Sequence, residues 1–173
     1  NLLINHNFIG NFMKKIISII FLFMFSSFVS ANPFEHPKFS NYKVPVYKGK
    51  AAPLSLSDSY ARHYKTRFTE ALKESPNFAG EYIITVWGCG TNCAIYSFIN
   101  KRTGKILEKT FGGELGENVA VATPDSRLLI TKKEIVNDDY ETLGYMVYYY
   151  ILQNTKFKKI GEHPISKEAF YAE

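Results

Sequence analysis

From Ser55 onward the hydrophobic positions follow first one period and then another. Tyr60, Tyr64, Phe68 and Leu72 fall four residues apart, with Ala61 and Ala71 beside them. Arg62, Lys65, Arg67, Glu70, Lys73 and Glu74 fill the positions between. Apolar residues at this spacing share one helix face, so the pattern predicts an amphipathic helix of about 17 residues within 57–75. Ser55 and Asp58 form a serine-x-x-acid start signal, each side chain able to satisfy a free amide of the first turn. Ser75-Pro76 supplies the stop, and the charged face reads as solvated surface.

After Phe78-Ala79-Gly80 the period shortens. Tyr82 to Trp87 is β-branched and aromatic, as strands are, and Ala94 to Ile99 follows in the same manner. The turn Asn100-Lys101-Arg102-Thr103-Gly104 then leads to a return strand over Lys105 to Phe111, a first hairpin. A flexible loop from Gly112 to Gly116 precedes a second hairpin. It joins Val119–Ala122 to Leu128–Thr131 through Pro124-Asp125-Ser126. Asn137-Asp138-Asp139 begins an acidic loop, and a third hairpin joins Tyr145–Leu152 to Phe157–Ile160 through Gln153-Asn154-Thr155-Lys156. Ser166 to Tyr171 reads as one helical turn.

One helix followed by three hairpins gives the α+β class. The expected architecture is an antiparallel β-meander of about six or seven strands over 80–173. It forms a single sheet or partial barrel, with the N-terminal amphipathic helix packed on it. A propeller is excluded, because it needs at least four blades. Ahead of the helix, residues 32–56 carry Pro33, Pro37, Pro45 and Pro53. Proline fixes φ and removes a donor, so this stretch reads as an extended arm. Phe34, Phe39, Tyr42, Val44 and Tyr47 would anchor it on the core.

The N-terminal part changes the picture from fold to place. Met13 is the first methionine, and residues 1–12 read as translated upstream sequence. Lys14 and Lys15, the apolar run Ile16–Phe25 and Val29-Ser30-Ala31 match a signal peptide over 13–31, cut after Ala31. The run is shorter than the roughly 20 residues of a membrane span, so no stable membrane insertion is expected after cleavage. Residues 32–173 then form a single exported domain, placed in the periplasm with secretion as the alternative. The chain carries +5, of which Lys14 and Lys15 contribute two, leaving +3 on the mature domain. Its lysines are dispersed, which argues against a nucleic-acid partner.

Candidate chemistry concentrates in Trp87-Gly88-Cys89-Gly90-Thr91-Asn92-Cys93, which holds the one tryptophan and both cysteines. A lone pair in an exported chain reads as a disulfide. Bridging needs Cα atoms about 4.4–6.8 Å apart, whereas four extended steps span roughly 13 Å. The loop must therefore fold back, and Gly90 and Asn92 are residue types that tolerate φ > 0. The competing reading is a redox pair, but the spacing is one residue longer than Cys-x-x-Cys and strand-like sequence follows. Structural zinc wants four ligands, with only His36, His63 and His163 to join the cysteines. Asp138, Asp139 and Glu141 could gather round calcium, yet Asn-Asp-Asp is ordinary turn chemistry. No metal or cofactor is assigned. Tyr148-Tyr149-Tyr150 alternates faces, giving core packing on one side and an aromatic strip on the other.

Asn77-Phe78-Ala79-Gly80-Glu81-Tyr82 and the Trp87–Cys93 loop together resemble a family of small exported bacterial proteins. That family carries a Phe-Ala-Gly-x-Tyr segment and a Trp-Gly-Cys-Gly-Thr-x-Cys loop. A hairpin turn with Thr-Gly follows, matched here by Arg102-Thr103-Gly104. The resemblance covers about residues 55–135 and implies export and a shared fold, without an assigned activity or catalytic residues.

The functional expectation is a non-enzymatic binding or inhibitory module. Its disulfide-closed loop, with Trp87, Gly90, Thr91 and Asn92 and with Tyr82 at the strand's start, would meet a protein or cell-envelope ligand. The alternatives are a thiol-disulfide enzyme using Cys89 and Cys93, and a hydrolase assembled from His63 and the acidic loop.

Overall fold

The strand-like periods become two open antiparallel sheets in a computed structural model that describes residues 35–91 and 93–172. The expected signal segment, the residues before it and Asn92 lie outside the described residues. From Pro37 onward the chain packs as one unit. The first sheet has the order β1 (Tyr82–Gly90), β2 (Cys93–Asn100), β3 (Phe111–Gly112). The second has the order β4 (Asn118–Ala122), β5 (Leu128–Val136), β6 (Thr142–Gln153), β7 (Lys156–Ile165).

A single sheet or partial barrel was the expectation, and it is corrected to two sheets. The break falls where the first hairpin was expected. β2 takes β1 as its long partner, from Tyr82↔Asn100 onward. The return segment 105–111 pairs with it only at Ile106 and over β3. The chain then turns through Gly112–Glu117, closed by the Gly112 N–H donating to the Glu117 carbonyl (2.7 Å), and starts β4 in the other sheet.

The helix is also corrected, from one to two: α1 (Ser59–His63) and α2 (Lys65–Ala71). Asp58 is the cap instead of Ser55, its Oδ1 accepting from the Tyr60 and Ala61 N–H groups at 2.7 and 3.1 Å. At Tyr64 the backbone leaves helical values (φ −102°, ψ 28°). The ladder nevertheless continues, the Tyr64 N–H reaching the Tyr60 carbonyl and the Phe68 N–H that of Tyr64. The end comes before Ser75 because Lys73 and Glu74 bond back three residues, to Glu70 and Ala71, which tightens the last turn. The helical turn expected near the C-terminus is α3 (Lys167–Tyr171), capped by the Ser166 hydroxyl accepting from the Ala169 N–H at 3.1 Å.

Strand alternation sorts the apolar residues into three buried clusters. Ile83, Trp87 and Ile99 pack with Phe68, Ala71 and Leu72 of the helical segment. Tyr82 and Phe98, on the opposite face of the first sheet, pack with Phe78, Leu107, Phe111, Leu129 and Leu152. Leu128, Val147, Tyr149 and Ile151 form the third, with Phe39 and Tyr42 against it. Tyr149 and Tyr150 thus serve different cores, as the alternation requires.

Over its described residues 35–56 the arm is extended apart from one 3-10 turn (Phe39–Tyr42), and backbone hydrogen bonds hold it. The Val44 N–H donates to Asp125, that of Tyr47 to Gly80, that of Ala52 to Lys101 and that of Ser55 to Gly104, at 2.7–2.9 Å. At Gly104 (φ +68°) a Cβ would lie 1.9 Å from the Pro53 carbonyl oxygen, so glycine is what lets the arm pass this close. Among the described residues no helix is long and apolar enough to cross a membrane.

Candidate functional site

The Cys89–Cys93 segment forms the tip of the β1–β2 hairpin. Pairing runs in register to Gly88↔Ala94 and then shifts to Gly90↔Cys93, which leaves Cys89 as the extra residue of a bulge. The shifted pairing brings Gly90 opposite Cys93, so the chain folds back as the spacing demanded. The two Cα atoms lie 5.0 Å apart and the sulfurs are bonded. Gly90 has φ +144°, and a Cβ there would meet nothing closer than 4.0 Å, so its requirement is conformational and not spatial.

Gly88, Cys89, Gly90 and Thr91 are exposed and Cys93 is half-buried. Val86, on β1 below the tip, is 56% exposed. Trp87 is not part of this surface. It is 7% exposed and lies under the helical segment, with its ring 4.8 Å from Tyr64, 6.0 Å from Phe68 and 6.3 Å from Tyr60. The Arg67 guanidinium sits 5.3 Å from the same ring, a cation–π contact. Tyr82 is 6% exposed and belongs to the core on the opposite face of β1. Of the expected contact residues, then, Gly90 and Thr91 share the exposed tip. Trp87 anchors it from beneath, and Tyr82 is remote from it in the fold.

Burial raises the phenols packed on either face of β1. Desolvation holds the Tyr60 phenol above its ordinary value, against the lowering effect of its hydrogen bond with Ser97 (3.2 Å). Tyr82 is raised for the same reason, with Asn100 opposing. On the outer edge of β1, Asn77 stands in for a neighbouring strand. Its Oδ1 accepts from the Ile84 N–H at 2.7 Å and its Nδ2 donates to the Ile84 carbonyl at 3.3 Å.

The other candidates do not assemble. His63 is exposed and packs edge-on against Tyr64. The acidic loop is organised by Asn137, whose Oδ1 accepts from the Asp139 and Glu141 N–H groups at 3.0 and 2.8 Å. No hydrogen bond or ion pair joins His63 to that loop among the described residues. Nor, among them, do three His, Cys, Asp or Glu residues gather in a way that could hold a metal ion.

What the sequence reading missed is the aromatic stack itself. Its signal was present in the four-residue spacing of Tyr60, Tyr64 and Phe68, which needs a large apolar partner opposite. No protein-family model, curated protein or solved structure matches this chain.

Proposed function

We propose that this protein is an exported, non-enzymatic binding or inhibitory module that meets a protein or cell-envelope ligand through the β1–β2 tip. One observation carries the reading. An exposed, glycine-shaped loop is closed by a disulfide and seated on a buried tryptophan. The bond between Cys89 and Cys93 ties the two strand ends of the tip together before any ligand arrives, which lowers the entropic cost of binding. The resemblance to small exported bacterial proteins supports the export half of the proposal.

The test is co-sedimentation of the folded protein with isolated envelope fragments, comparing the natural chain with Thr91→Ala plus Asn92→Ala. The expected result is saturable binding that weakens at least about tenfold in the double variant, roughly 1.4 kcal/mol. Equal binding by both proteins would remove the tip from the proposal, and no binding would remove the envelope ligand.

Exposure of Cys89 favours a second reading, thiol-disulfide exchange, because attack on a disulfide requires access to a sulfur. Turnover of a disulfide substrate with glutathione as reductant, which opens the Cys89–Cys93 bond so that the reduced pair passes two electrons to the substrate, abolished by Cys89→Ser, would put this reading in place of the first.

A further inference from the structure

Two arginines line one cavity beside the Ala79–Tyr82 segment, and each makes contacts within the chain. Arg127 lies in the turn between β4 and β5. Its N–H donates to the Tyr42 carbonyl and its own carbonyl accepts from the Leu152 N–H, both at 3.0 Å. Its Nη1 donates to the Leu152 carbonyl at 3.4 Å. Arg102 follows β2. Its Nε donates to the Glu81 carboxylate at 2.7 Å, and its guanidinium covers the Tyr47 ring at 4.5 Å. The cavity between them measures about 430 Å³, and Val44, Pro45 and Leu152 supply apolar wall. That volume lies within the roughly 300–1,000 Å³ of small-molecule sites.

The charges do not balance. A guanidinium has five N–H donors. Arg127 uses one, in a long bond, and makes no ion pair among the described residues. Arg102 is matched by Glu81 alone, so the cavity keeps one positive charge. A half-buried guanidinium with unused donors beside an apolar wall suits an anion with an apolar body. Arginine presents parallel N–H groups that fit a carboxylate in bidentate fashion. A single negative charge would neutralise the site, whereas a phosphate dianion would overshoot and set a second negative charge near Glu81.

We propose that this cavity binds a monoanionic carboxylate carrying a short aliphatic group, with Arg127 as the principal contact and Arg102 as the second. A free aliphatic acid and the C-terminus of a peptide share that chemistry. The site uses no residue of Trp87–Cys93, so its failure or success is independent of the tip.

The test is a titration of the ¹⁵N-labelled protein, followed by amide and arginine Nε–H shifts. The probes are isovalerate, N-acetyl-alanyl-valine, neutral isovaleramide and inorganic phosphate. Saturable shifts at Gly80, Arg102 and Thr155 are expected with a carboxylate probe and not with isovaleramide. The tighter of the two carboxylates identifies the source as free acid or chain terminus. Arg127→Gln should weaken that binding at least about tenfold, the cost of losing a charge-assisted pair. The proposal is overturned by absent saturation with both carboxylates, by equal binding of isovaleramide, by tighter binding of phosphate, or by a folded Arg127→Gln variant that binds undiminished. The comparison of carboxylate with amide needs only the natural chain, so it decides the matter even where the variant does not fold.

Discussion

At Gly104 two demands meet that a side chain can satisfy only at a cost: a left-handed backbone (φ +68°) and the Pro53 carbonyl oxygen 1.9 Å from where a Cβ would stand. Gly113 has a similar backbone (φ +92°) with nothing within 4 Å. The pair separates conformation from contact. Gly113→Ala should cost only the conformational part, about 1 kcal/mol. Gly104→Ala should cost on the order of 2–3 kcal/mol, because the arm must also move away. Urea unfolding midpoints of both variants check this, and equal losses would mean that the arm yields freely. The same residue-scale reasoning explains Trp87. Read alone, a lone tryptophan beside a polar loop suggested a contact residue. It lies four residues after Ile83 on β1, so both point to the face that the helical segment covers, and burial follows from that.

Among the elements, the β4–β5 and β6–β7 hairpins were legible from their apolar runs and turn residues, and the exceptions have physical causes. β5 runs on through Lys132, Lys133 and Glu134, where charged residues hid the strand. The Lys132 amine is taken up by the carbonyls of Ala169, Phe170 and Ala172 at 2.8–3.3 Å, at the C-terminal end of α3, where a cation is favoured. β7 includes Pro164, which reads as a breaker yet is tolerated because β7 is an edge strand. The division into two sheets was not legible. It depends on which strand β2 chooses as its long neighbour, and local periodicity is silent on that choice. The fold-back of the cysteine loop was legible because covalent geometry demanded it. Seated at the bulged end of the β1–β2 hairpin, the pair closes a ring that contributes about 2 kcal/mol in the loop-entropy treatment. Its reduction potential is expected below about −300 mV, the range of structural disulfides. A measured value of about −200 to −120 mV, the range of exchange enzymes, would favour the redox reading.

Over the whole molecule, the clusters are rich in phenols. Tyr60, Tyr82, Tyr149 and Tyr150 are all held above their ordinary value near 10, chiefly by burial. Tyr150 is raised furthest, since its hydroxyl also donates to the Glu117 carboxylate at 2.9 Å. A raised phenol binds its proton more tightly in the folded chain than in the unfolded one. Its contribution is therefore complete below about pH 10 and lost as pH climbs from there towards the folded value. Unfolding free energy should stay level through neutral pH and fall from about pH 10 upward, less steeply in Tyr150→Phe. Ultraviolet titration of phenolate checks the premise: coincident curves for native and urea-unfolded protein would sink it. The arm, finally, has a consequence in time. Its residues Val44 to Ser55 leave the ribosome early, yet their hydrogen-bond partners extend from Gly80 to Asp125. The arm therefore stays undocked until much of the chain has been made, and its closing belongs to the late, slow part of folding, when distant contacts are collected.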